Sequence, residues 1–230
     1  MLVYHFTSAT HAIDSLRKRR LKASVISEMN DPFELYGATH SDPVIRKHFE
    51  SWQQHVNSRV RILCFAKSWS NPVLWSHYAD RHYGMCLGLE VPDDYLLPVQ
   101  YGVDRLKTKL SAEERKAYLA GQVPLSLDTT LARRLVATKF EAWEYEDEIR
   151  AFLGPKDVYK ELGLFFTPFS DLLRPRVVIL GVRCRVSRNE VVRAIQIADA
   201  PVTVISTRLS FTSYTVVQKA RKQLSAKRDA

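Results

Sequence analysis

The sequence predicts an α+β protein built around one sheet. Three observations carry that expectation. Strand-like runs of β-branched, aromatic and aliphatic residues recur along the whole chain, segments with helical spacing lie between them, and no Gly-, Ser- or Pro-rich linker divides the 230 residues. Apolar residues make up 46% and charged residues 26%, which excludes a disordered chain and a collagen-like repeat.

The elements follow in order. MLVYHFTS alternates and is read as a strand. Ser8 or Thr10 caps the helix after it, with Ala12, Ile13 and Leu16 on one face. LKAS is a short strand or turn. SEMNDPFE is a loop, in which Asn30 and Asp31 favour local backbone bonds and Pro32 keeps Asp31 out of the α region. Residues 44–58 set Val44, Ile45, His48, Phe49, Trp52 and Val56 at helical spacing. RVRILCFAKS is a buried strand, SNPVLWSHYAD a short helix capped by Asn71 with Pro72 at its first position, and GMCLGLEV the next strand. Residues 104–142 read as helix with a polar break at GQVPLSLD, after which EIRAFL becomes a strand. RVVILGVRC is a strand, SRNEVVRAIQIADA a helix with Ser187 and Glu190 at capping-box spacing, and PVTVISTRLS and SYTVVQK are strands. Residues 1–173 are expected to form a core, and residues 174–230 a βαββ extension on the same sheet or beside it.

The charge is uneven. The net +9 lies in residues 174–230, with 12 Lys and Arg against 3 Asp and Glu, while residues 1–173 carry 22 of each sign. Such a segment attracts polyanions in a salt-dependent way, or serves as a solubilising surface with a basic tail. The three cysteines, Cys64, Cys86 and Cys184, are scattered in strand-like runs and read as small buried hydrophobes. The clustered Cys or His of a zinc site are missing. Few apolar residues precede the first basic ones, the reverse of a secretory signal, and no apolar run is long enough to span a membrane, so the expectation is a cytoplasmic chain with no membrane contact.

Neither a P-loop nor a G-x-G-x-x-G nor a G-x-S-x-G nor an H-E-x-x-H is present. Chemistry must therefore come from residues on separate elements, and three groups are candidates. His5 and Thr7, two apart on a strand, share a face and offer an imidazole and a hydroxyl; a solvated strand edge is the alternative. Ser68 and Ser70 precede a helix on which Trp75 and Tyr78, three apart, could stack on a planar ring; core packing is the alternative, above all for Trp75. Glu144, Glu146 and Glu148 alternate in WEYEDEIRAF and could share a face beside the core, where like charges raise one pKa; a solvated acidic edge is the alternative. Asn30, Asp31 and Glu34 of MNDPFEL either border a ligand or cap the next turn. Metal binding by Glu146, Asp147 and Glu148 is disfavoured, since consecutive strand residues point to opposite sides.

The words YHFTS, MNDPFEL, CFAKSWSNPVLWSHYADRHYGMCLGLEV, KFEAWEYEDEIR and VVILGV, in this order, resemble those of a bacterial family called domain of unknown function 2971. A second resemblance is to ADP-ribosyltransferases of the poly(ADP-ribose) polymerase and toxin type. These carry a His on the first strand, a Tyr on a short helix after a strand ending in serine, and a Glu opening a late strand. His5 is followed by Phe and Thr, closer to the His-Thr word of toxin relatives than to the polymerases' Gly-Ser. The resemblance implies an ADP-ribosyltransferase-like split β-sheet core with flanking helices, and NAD as substrate with no metal. It implies Glu148, or alternatively Glu146, as the catalytic carboxylate. Tyr78 would stack on the nicotinamide, His5 and Thr7 would hold the ribose and carboxamide, and Ser68 or Ser70 would assist. The partner would be an ADP-ribose acceptor, protein or nucleic acid, in the setting of a toxin or an anti-phage defence. The competing expectation is a non-catalytic module that binds nucleic acid through residues 174–230.

Overall fold

The computed structural model describes residues 1–34, 38–39, 43–107, 113, 116, 120, 130–195 and 201–220. Its strands are β1 (Leu2–Thr7), β2 (Arg20–Ala23), β3 (Ala38–Thr39), β4 (Arg61–Ala66), β5 (Met85–Glu90), β6 (Leu96–Pro98), β7 (Gln100–Gly102), β8 (Leu106–Lys107), β9 (Thr138–Phe140), β10 (Glu148–Leu153), β11 (Tyr159–Glu161), β12 (Leu164–Pro168), β13 (Arg174–Leu180), β14 (Thr203–Leu209) and β15 (Val216–Gln218). The helices are α1 (Ala9–Arg17), α2 (Pro43–Arg59), α3 (Pro72–Tyr78), Thr130–Val136 and Arg188–Ile195. The chain is α+β, with a mixed eight-stranded sheet in the order β15-β14-β13-β5-β1-β4-β10-β6.

Local chemistry explains most of these elements. Ser8 caps α1 by accepting from the His11 amide, and Asn71 caps α3 by accepting from Val73, with Pro72 supplying a preset φ. The Glu190 amide donates to Ser187 Oγ at 3.2 Å ahead of the helix Arg188–Ile195. Alternation sorts β10 between two layers: Ile149, Ala151 and Leu153 join the core beneath α1, while Phe152 packs with the cluster under α2. After β5 the described strands β13, β14 and β15 continue the central sheet: β13 pairs antiparallel with β5 and parallel with β14, and β14 pairs antiparallel with β15.

Two of the sequence expectations need correction. The described parts of 104–142 are helical only in places. Leu106–Lys107 and Thr138–Phe140 are strands, the latter parallel to β7, whereas Thr130–Val136 is an α-helix and Glu113 and Lys116 are α-helical; GQVPLSLD lies outside the described residues. The acidic run is not one alternating strand either. Glu141–Glu146 is a 3₁₀ turn that ends at Asp147, whose φ of 41° turns the chain before β10 opens at Glu148.

Two close backbone approaches hold the end of β1. A Cβ on Gly84 would lie 2.2 Å from the Thr7 carbonyl oxygen, and one on Gly181 would lie 2.3 Å from that of His82. Neither neighbour is a side chain that can swing away. Gly84→Ala is expected to destabilise the fold by about 1–3 kcal/mol, lowering Tm by roughly 2–4 °C per kcal/mol in a thermal melt.

Candidate functional site

β1 and β5 pair along their whole length, from Leu2 opposite Glu90 to Thr7 opposite Met85. β1 and β4, its other neighbour, meet only at Tyr4 opposite Ala66 among the described residues. A cavity of about 130 Å³ opens beside this parting of the sheet. It is walled by His5 from β1, Cys64 from β4, Tyr78 from α3, and Glu146 and Glu148 around the turn into β10, with Asn30 and Lys139 at its sides. The space is below the few hundred Å³ of drug-sized sites and is room for one ring-sized group.

The His5 ring reaches back to the neighbouring strand, with Nδ1 3.2 Å from the Cys64 carbonyl oxygen. A carbonyl oxygen only accepts, so Nδ1 carries the proton. Burial lowers the pKa of His5, against the smaller opposing effect of that bond, and leaves Nε2 unprotonated at neutral pH. Opposite it, the Tyr78 hydroxyl accepts from Asn30 Nδ2 at 2.6 Å and donates to Glu146 Oε1. Burial, then the bond to Glu146, push the Tyr78 pKa up, so the phenol stays neutral with its ring fixed at the cavity wall.

Behind this wall lies a buried cluster of Glu34, Lys139, Glu146, Glu148 and Arg150. Arg150 holds two carboxylates at once. Its Nε and Nη2 donate to Glu148 Oε1 and Oε2 at 2.8 and 2.9 Å, and its Nη1 and Nη2 donate to Glu34 at 2.7 Å each. Nη1 also donates to the Val136 carbonyl at 2.8 Å. Lys139 Nζ lies 2.6 Å from Glu146, 3.4 Å from Glu148 and 3.8 Å from Glu34. Three carboxylates face two cations, so the cluster with all its members ionised has a net charge of about −1 beside the cavity.

Burial pushes the Glu148 carboxyl up, but Arg150 and then Lys139 more than offset this, and its pKa ends below the usual value. Glu34 goes the other way: burial raises it and Arg150 offsets only part. Burial pulls Lys139 down, yet its carboxylate partners, Glu148 first, leave it raised. The Glu148 amide donates to the Tyr101 hydroxyl at 2.8 Å, which ties the start of β10 to β7.

The sequence candidates separate on this geometry. His5, Tyr78, Glu146 and Glu148 come together on one cavity, although they lie on four different segments. Trp75 does not join them. It is fully buried, with its indole N–H on the Trp69 carbonyl at 2.6 Å and its ring edge-on to Phe6, so it is a core residue. Ser68 and Ser70 bond each other at 2.9 Å beside α3 and do not line the cavity, and neither does Thr7. Glu144 is exposed, on the same 3₁₀ turn that buries Glu146. Asp147 is itself exposed and paired with Lys67 at 2.7 Å, so the three consecutive acids do not converge. Among the described residues no group of three or more His, Cys, Asp or Glu is placed to hold a metal ion.

Asp31 takes the turn role, accepting from the Phe33 amide at 2.9 Å, whereas Asn30 reaches the cavity and Glu34 the buried cluster. Lys139, Arg150 and Tyr101 were not among the candidates. The only trace of Arg150 in the sequence is its spacing of two from Glu148, which puts both on one strand face. Cys86 is buried and Cys64 and Cys184 partly so, all three free. No helix among the described residues is long and apolar enough to cross a membrane.

A scan of family models found none that matches the chain, and searches of curated proteins and of solved structures found no match either.

Proposed function

We propose that this chain cleaves the bond between nicotinamide and ribose in NAD and passes the ADP-ribosyl group to an acceptor or to water. The observation that carries this reading is the convergence of His5, Tyr78 and Glu148, from the first strand, a short helix and the opening of a late strand, on one ring-sized cavity. The parting of β1 and β4 beside them supports the split-sheet core of the ADP-ribosyltransferase type.

In this mechanism the nicotinamide ring enters the cavity and stacks on Tyr78. Breaking the N1–C1′ bond sends its electron pair to the leaving nicotinamide and puts positive charge on the ribose ring, as in glycoside cleavage. Glu148, held ionised and fixed by Arg150, stabilises that charge. An oxygen of the acceptor or of water then bonds to C1′ and gives up its proton to solvent water. A carboxylate with a lowered pKa is a weak proton acceptor, so Glu148 acts chiefly through its charge. Glu146 holds the Tyr78 hydroxyl, and His5 presents an unprotonated Nε2 to a ligand hydroxyl.

Calorimetry with NAD tests the binding half of this proposal. Tyr78→Ala is expected to weaken NAD binding by about 5- to 100-fold, the usual range for a lost ring stack. Equal affinity in the variant contradicts the stacking role. Because the His5 pKa lies below the ordinary value of about 6.5, binding should stay flat through neutral pH and weaken only as pH falls past that value. A loss centred above pH 7 contradicts it.

A second reading is favoured by the hairpin joining β14 and β15. Phe211 and Tyr214 are 90% and 97% exposed there, with the Arg208 guanidinium 4.6 Å from the centre of the Phe211 ring. Exposed rings beside cations are how single strands are gripped without sequence preference. Nucleic-acid affinity that falls steeply with salt and drops in Phe211→Ala supports this reading, and salt-independent binding contradicts it.

A further inference from the structure

Lys139 is a wall between two cavities. On the far side from His5 and Tyr78 lies a second space of about 450 Å³, larger than the first. Three aromatic side chains line it: Phe33 from the loop after Asp31, Phe140 from β9 and Trp143 from the 3₁₀ turn. Phe33 and Phe140 are 53% and 49% exposed, so apolar rings stand open to solvent in a concave site.

Charge accompanies the rings. The Arg105 guanidinium sits 4.7 Å from the centre of the Phe33 ring, and Lys139 Nζ lies 4.6 Å from that of Trp143. The Lys139 charge is committed to the buried carboxylates. Arg105 makes no ion pair among the described residues, which leaves its donors for an anion. Of the two acids on the wall, Asp31 is occupied by the Phe33 amide, and Asp104 is exposed, an acceptor for a hydroxyl or amino group.

We propose that this second cavity binds a nucleoside phosphate unit, with its base among Phe33, Phe140 and Trp143, its phosphate on Arg105 and a sugar hydroxyl or base amine on Asp104. A phosphorylated tyrosine would satisfy the rings and the arginine but offers nothing to Asp104. The base of a bound nucleotide would lie across Lys139 from the carboxylates of the first cavity. The readout is binding, so the proposal stands or falls apart from the reaction proposed for that cavity.

The test is calorimetry on the full chain with AMP, NAD, a short single-stranded oligonucleotide, ribose 5-phosphate and phosphotyrosine. At least one of the three base-containing ligands is expected to bind, with ribose 5-phosphate and phosphotyrosine weaker by about tenfold or more. Phe33→Ala is expected to weaken that binding by about 5- to 100-fold, and Arg105→Ala to weaken it and flatten its salt dependence. Both side chains are exposed, and a thermal melt confirms that the variants remain folded.

The source of the unit is read from a third variant. NAD binding weakened by both Phe33→Ala and Tyr78→Ala assigns it to the adenylate half of a dinucleotide that spans both cavities. Oligonucleotide or AMP binding weakened by Phe33→Ala but not by Tyr78→Ala assigns it to a separate ligand. The proposal is overturned if none of the base-containing ligands binds, if ribose 5-phosphate or phosphotyrosine binds as well as they do, or if folded Phe33→Ala and Arg105→Ala bind like the parent.

Discussion

Arg150→Met is expected to destabilise the protein by about 3–5 kcal/mol, the range for a buried ion pair that loses one partner. Arg150 is the only cation that bonds both Glu34 and Glu148 within 3 Å among the described residues, and all three side chains are buried. Methionine fills much of the same volume, so the loss comes from two carboxylates left without their guanidinium. Lys139 stays 3.4 Å and 3.8 Å from them and offsets only part. Denaturant unfolding measures the loss, and its pH dependence tests the cause. In the parent, Glu148 has a lowered pKa, so its contribution is present above the unfolded value of about 4.3 and is lost as pH falls through the folded one. Without Arg150 the folded Glu148 pKa rises above the unfolded value, and the folded state binds protons more readily. The gap between parent and variant should therefore narrow as pH falls from 7 towards 4. A gap that is constant with pH would mean the loss is one of packing.

Glu148→Gln is expected to lower nicotinamide release from NAD by about 10²–10⁴-fold while the protein remains folded. Glutamine keeps the shape and can still accept from Arg150, which retains Glu34 as a charged partner. What is lost is the fixed negative charge beside the ribose. Glu146→Gln should have a smaller effect, expressed in binding, because Glu146 acts by orienting the Tyr78 hydroxyl. Loss of turnover in Glu146→Gln with normal turnover in Glu148→Gln would exchange the two roles.

The elements that carry these residues were legible in the sequence where local rules decide them. Alternation in LVYHFT, the Asn71-Pro72 start of α3 and the apolar EIRAFL run predict β1, α3 and β10, and these bring His5, Tyr78 and Glu148 to the cavity. Long-range pairing was not legible. β7 and β9 are three residues each and exist through each other, at the two ends of a span whose composition suggests helix with a polar break. Asp147 adopts a left-handed conformation that no neighbouring residue announces, and that turn decides which glutamates meet. Lys139 and Arg150 look like ordinary surface charges in TKF and EIRAF. Only the folding of Glu34 and Glu146 against them makes them a buried cluster. Trp75 and Tyr78 share a helix, and spacing alone could not tell the core ring from the cavity ring.

The most direct measurement is chromatographic quantification of free nicotinamide after the purified protein is incubated with NAD, with and without candidate acceptors. The account predicts release above the protein-free rate, with one ADP-ribose or ADP-ribosylated acceptor formed for each nicotinamide. NAD that stays intact under every acceptor, with a folded protein, would contradict it.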